Sequence, residues 1–148
     1  MAKYTSMSFF LEKFMDIEYK NYPLVIYMLS KIDKAKGNTE ETSINFTKVN
    51  IEHILPQDPS EWDLTKQDIR DYVNKLGNLT LIAKKINGTM GNKRLNQKIK
   101  IFKESKLNIN KDLLKRFKLL NYAWGEHEIE DRQKELAAYA YDRVWRFK

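Results

Sequence analysis

Val49-Asn50-Ile51-Glu52-His53-Ile54-Leu55-Pro56-Gln57, with Leu76-Gly77-Asn78-Leu79-Thr80-Leu81-Ile82 downstream of it, is the pair of segments around which the chain is read. Each carries an alternating or continuous apolar run of strand length, with polar residues where the run stops. Glu52 and His53 are neighbours in an extended segment, so their side chains leave on opposite faces. Pro56 ends the first strand, because its ring removes a ladder donor. A carboxylate, an imidazole and side-chain amides are the groups that metal-assisted hydrolysis of a phosphodiester would use.

Outward from these segments the pattern turns helical. The first strand is expected over roughly Thr47 to Leu55 and the second over Leu79 to Ala83. Between them Asp58-Pro59-Ser60-Glu61-Trp62 reads as an irregular turn. Thr65 is placed to cap a helix from Lys66 to Leu76, buried through Ile69, Tyr72, Val73 and Leu76 and stopped by Gly77. After the second strand a short helix begins near Lys84 and carries Asn87, with Gly88 and Gly91 weakening its far end. Asn92 is placed to cap a helix from Lys93 to about Ser105, whose buried stripe is Leu95, Ile99 and Phe102. Upstream, Phe9, Phe10, Phe14 and Ile17 form a helical stripe between Ser6 and Tyr19. Pro23 opens a second helix, which Gly37 ends before a polar loop through Ser43. Downstream, helices are expected over Asn110 to Leu119 and Glu126 to Phe147. There is no internal repeat and no linker, so the expectation is one α+β, mostly helical domain.

Composition narrows the class. A chain of 148 residues is the size of one domain and long enough to bury a core. Cysteine is absent, which removes disulfides, thiolate zinc sites and cysteine nucleophiles together. No apolar run approaches the ~20 residues of a membrane span, and Met1-Ala2-Lys3-Tyr4-Thr5 lacks the apolar stretch of a secretory signal. A cytoplasmic location is therefore expected. The formal charge of +7 is unevenly placed: Lys84 to Lys118 holds twelve Lys or Arg and only two acids, Glu104 and Asp112. Acids outnumber bases in the remainder. A focused basic field of this kind attracts phosphate backbones.

Two short strands followed by a helix, with His on the first and Asn on the second strand and on the helix, resemble the HNH, or ββα-metal, nucleases. Glu52-His53-Ile54-Leu55-Pro56-Gln57 is similar to their first-strand signature, more often Asp-His-Ile-x-Pro. Asn78-Leu79-Thr80-Leu81 is similar to their second-strand Asn-Leu-x-x-Leu, and Asn87 falls where that family has its helical metal ligand. The Ile-Glu-His-Ile-Leu-Pro-Gln and Leu-Gly-Asn-Leu-Thr-Leu segments narrow the resemblance further. With them go the Asn…Gly-Asn pair, and Lys98 before Phe102 and Ser105. Together they resemble the C-terminal nuclease domain of GmrSD-type modification-dependent restriction enzymes. Trp124, Ile129, Arg132, Leu136-Ala137 and Trp145 are similar to that branch's closing helix.

The resemblance implies a ββα-metal finger over 47–105, embedded between a helical N-terminal part (1–46) and C-terminal helices (106–148). It implies a DNA endonuclease acting in restriction of modified or phage DNA. His53 would be the general base, and Asn78 would hold one ring nitrogen through its side-chain carbonyl. Glu52 and Asn87 would offer oxygen ligands to one Mg²⁺ or Mn²⁺, with Asn92 as either a second candidate ligand or a cap. Lys84, Lys85, Lys93, Arg94 and Lys98 would hold the DNA backbone without reading sequence. Lys98 is open between the scissile phosphate and the basic face, and Gln57 between DNA and bracing of the turn after Pro56. The resemblance also implies an NTP-using specificity module as partner; no Gly-x-x-x-x-Gly-Lys-Ser/Thr loop occurs in these residues. Two other readings stand beside it: a DNA-binding module whose nuclease site has decayed, and a helical protein-interaction domain. His127 has no metal-ligand spacing around it and reads as surface.

Overall fold

The computed structural model describes residues 2–37, 48–87 and 90–145, without the side chains of residues 2–6 and 87. Strand β1 (Val49–His53) pairs antiparallel with β2 (Leu79–Ala83), with Glu52 opposite Thr80 and His53 opposite Leu79. Among the described residues these two strands form one sheet, and helices dominate the rest. The fold is thus mostly helical α+β, as the patterning implied.

The near-continuous apolar run of β2 has a packing cause, since both faces of the pair are covered. Val49, Leu79 and Leu81 join Phe14 of α1 (Ala2–Met15) and Val25, Leu29 and Ile32 of α2 (Tyr22–Lys36) in one core. The same core takes Ile109 of α6 (Asn108–Leu119) and Leu136 of α7 (Glu126–Ala140). Ile54, Leu55 and Ile82 lie in a second core with Ile69, Leu95, Phe102, Phe117, Trp124 and Ile129. Helix α4 (Lys84–Asn87) follows β2 directly and packs on both strands, completing a β-β-α unit.

Several boundaries differ from the expected ones. The expected helix from Lys66 is only α3 (Lys66–Ile69), capped at Thr65 by a reciprocal pair with Asp68. Beyond Ile69 the chain leaves the helix because its backbone is recruited elsewhere: Tyr19 N donates to Asn74 O at 2.8 Å, and Glu18 bridges Lys75. That pairing also explains why α1 stops at Met15, short of Tyr19. Helix α5 (Leu95–Phe102) starts later than expected, with Arg94 at its N-cap. Asn92 sits exposed in the turn that Gly91 makes at φ +49°, two residues before that cap. Helix α6 begins two residues earlier than Asn110, and α7 gives way to a π-turn over Tyr141–Trp145. The loop through Ser43, Thr47, Gly88 and Phe147 lie outside the described residues. No helix among those described is long and apolar enough to cross a membrane.

Candidate active site

His53 closes β1, and two side chains from elsewhere meet its ring, with a third behind one of them. Its Nε2 lies 3.0 Å from Asn74 Oδ1. Gln57 Nε2 donates to the same oxygen at 3.4 Å, so Gln57 braces the site from the turn after Pro56. The Tyr19 ring meets the imidazole edge-on, with centroids 4.6 Å apart and planes at 71°. With an amide oxygen as its partner, Nε2 carries the proton and Nδ1 keeps the lone pair. Burial pushes the imidazole below its ordinary value, the Asn74 contact opposes this, and the Lys98 charge adds to the depression. Burial and the Lys98 charge thus both favour the uncharged ring.

Asn74, and not the expected Asn78, is the amide against the imidazole. Asn78 is fully buried and all of its side-chain bonds serve the turn. Its Oδ1 accepts from Leu55 N at 2.8 Å and from Trp124 Nε1 at 3.0 Å. Its Nδ2 donates to Leu55 O and Val73 O, both at 2.8 Å. No donor or acceptor capacity is left for the imidazole. The backbone adds Ile54 N to Asn78 O at 2.9 Å, so Asn78 laces the exit of β1 to the entry of β2. It holds the strand that carries His53, and Asn74 holds the ring. Asn74 lay hidden inside an expected helix, and its closeness to Asn78 along the chain was the only available signal.

Glu52 points the other way, towards α5. Its Oε1 is 3.4 Å from Lys98 Nζ, and that ammonium donates to His53 O at 2.7 Å. Lys98 is 0% exposed, which removes it from the exposed basic surface. The reason is helical phase: the buried side of α5 is Leu95, Lys98 and Phe102, where the expected stripe had Ile99. Burial raises the Glu52 carboxyl and the Lys98 charge pulls it back; burial lowers the Lys98 ammonium and Glu52 opposes it. Each partner is the other's compensation in a dry setting.

The remaining candidates divide by exposure. Lys84 and Lys85 are exposed on α4, beside the strand pair. Arg94 is exposed, 3.9 Å from Asp63, while Lys93 is half-buried and its carbonyl accepts from Trp62 Nε1 at 2.9 Å. Asn87 ends α4, and its side chain lies outside the described residues. His127 is exposed and pairs with Asp131 one turn on.

Among the described residues no cluster of three His, Asp or Glu side chains forms. The donor chemistry nevertheless fits a hard cation. Glu52 is a buried carboxylate next to His53 in sequence, and among the described residues its one cationic contact is a long one through Oε1 alone. A carboxylate oxygen is the donor type that one Mg²⁺ or Mn²⁺ takes.

A comparison with protein families matches residues 4–139 to the GmrSD restriction endonucleases, C-terminal domain. The match spans most of the chain, which therefore belongs to that family. No curated protein and no solved structure matches it.

Proposed function

We propose that this chain is an HNH-type endonuclease domain that hydrolyses phosphodiester bonds in DNA, and that it acts in restriction of modified or phage DNA. The observation that carries the reading is the contact of His53 Nε2 with Asn74 Oδ1, at a strand end preceded by a buried carboxylate. Membership in a restriction-endonuclease family supports it.

In this reading Nδ1 of His53 takes a proton from the water that attacks phosphorus, while the Nε2–H to Asn74 bond keeps the lone pair in place. Tyr19 limits ring rotation, and Lys98 fixes the strand through the His53 carbonyl. Glu52, with Asn87, would hold one divalent ion, which supplies charge neutralisation at the phosphate and at the departing 3′ oxygen. Lys84, Lys85 and Arg94 would bind backbone phosphates without base readout. A separate NTP-using module would choose the DNA.

The test is supercoiled plasmid incubated with Mg²⁺, Mn²⁺ or EDTA, beside His53→Ala and a binding titration in salt. Metal-dependent nicking that falls roughly 10²- to 10⁴-fold in the variant supports the enzyme. Salt-sensitive binding without nicking in any metal would overturn it in favour of a decayed module.

A further inference from the structure

A cavity of about 420 Å³ opens between the C-terminal end of α2, α6 and α7, on side chains that the proposed hydrolysis does not use. Its volume falls within the range of small-molecule sites. Arg132 forms part of its wall although it is only 4% exposed. Both hydrogen bonds of its guanidinium among the described residues leave from Nη1, to Gly77 O at 2.8 Å and Leu79 O at 2.7 Å. Nε and Nη2 remain as donors for something else. Among the described residues no carboxylate forms an ion pair with Arg132. Burial pushes its pKa down to about 9, the neighbouring Arg116 adds repulsion, and the Asp112 carboxylate opposes both in part. Two guanidiniums on one cavity wall are an arrangement that a bound oxyanion relieves.

The other charges at the cavity leave an excess of the same sign. Lys36 is 2.5 Å from Asp112 and lies over the Tyr139 ring, and Arg116 pairs with Glu135 at the rim. Lys115 is exposed and forms no ion pair among the described residues. Four cations against two carboxylates make the lining positive by two, and a phosphate monoester carries about −1.5 to −2 near neutral pH.

We propose that this cavity binds a phosphate dianion, free or as a small monoester, through Arg116, Lys115 and the Nε and Nη2 donors of Arg132. The site goes beyond the nuclease reading but touches the same turn. Nη1 of Arg132 holds the carbonyls on either side of Asn78, so an anion on Arg132 bears on the lacing of the strand pair.

The experiment is isothermal titration of the full chain with inorganic phosphate and with adenosine 5′-monophosphate at fixed ionic strength. The variants Arg116→Gln, Lys115→Glu and Lys103→Ala run alongside, the last altering an exposed lysine outside the cavity. Saturable one-to-one binding is expected, weakened about tenfold or more in Arg116→Gln and Lys115→Glu and unchanged in Lys103→Ala. Tighter binding of the nucleotide assigns an organic monoester, and equal binding assigns the free ion. Lys115 is exposed, so its variant reports even where Arg116→Gln lowers the melting temperature. Non-saturable heats, or equal affinity across all three variants, overturn the proposal. Because the readout is binding, failure of the plasmid assay leaves this result standing, and the reverse holds as well.

Discussion

The Nε2 of His53 and the Oδ1 of Asn74 meet at 3.0 Å across a 21-residue separation, and that contact decides which imidazole nitrogen carries the proton. If His53 is the base, Asn74 is its positioning residue. Asn74→Ala should lower the nicking rate roughly 10- to 100-fold, the usual cost of losing an orienting partner. Asn74→Asp keeps an acceptor there and should recover part of the loss. Equal activity of Asn74→Ala and wild type would sink the assignment.

Asn78 should behave oppositely. With its side chain fully bonded to Leu55, Val73 and Trp124, Asn78→Ala strands several buried partners. We expect a loss of about 3 kcal/mol or more in urea unfolding, against about 1 kcal/mol for Asn74→Ala. Comparable stability losses in the two variants would contradict the division between turn and ring.

Gly77 is fixed by space rather than by dihedral. A Cβ built there would lie 2.0 Å from the Ile129 carbonyl oxygen and 3.1 Å from Gln133 Cβ, and both belong to α7. Backbone of a long helix cannot yield as a side-chain tip can. Gly77→Ala should therefore cost about 3 kcal/mol or more, at the upper end for overpacking, and separate α7 from the turn before β2. A melting temperature within a degree or two of wild type would show that α7 can move aside.

Asp33 gives a pH dependence outside the candidate site. Its Oδ1 accepts from Ile109 N at 2.9 Å, at the start of α6. Burial raises its carboxyl above the ordinary 3.8, and the bonds from Ile109 and Asn108 only partly offset that. A raised folded-state value means the native chain holds this proton to higher pH than the unfolded one. The contribution is thus fully present in acid and is lost as pH rises through the folded value. Asp33→Asn keeps the oxygen acceptor and removes the titration. It should be as stable as wild type or more so at neutral pH, with a flatter stability curve above 3.8.

Much of this architecture could be read from the residues, and the misreadings share a cause. The strand pair, the cap at Thr65 and the helix starting at Lys84 depend on local pattern and came through nearly unchanged. What periodicity could not show was tertiary recruitment. Residues 70–75 have helical spacing, but Glu18 and Tyr19 claim their backbone, and that brings Asn74 to His53. Lys98 has the composition of a surface residue, yet Glu52 and the His53 carbonyl give its ammonium partners in the interior. Both residues depend on contacts far along the chain, to which a local window is blind.

Lys98 and Glu52 offer the sharpest test of how the site is held. Each is buried, and each is shifted towards its neutral form by burial. Removing one partner leaves a charge in the core with nothing to balance it, so Lys98→Met should destabilise by about 3–5 kcal/mol. Replacing both at once, Lys98→Met with Glu52→Gln, removes the charge along with its partner. The double variant should then recover a good part of the loss, a coupling of about 1–3 kcal/mol in a double-mutant cycle. Nicking should stay lost in the double variant even where stability returns, because Glu52 is the proposed ligand. Additive single losses in urea unfolding would instead mean that the 3.4 Å contact carries no coupling and that Lys98 is held by the His53 carbonyl alone.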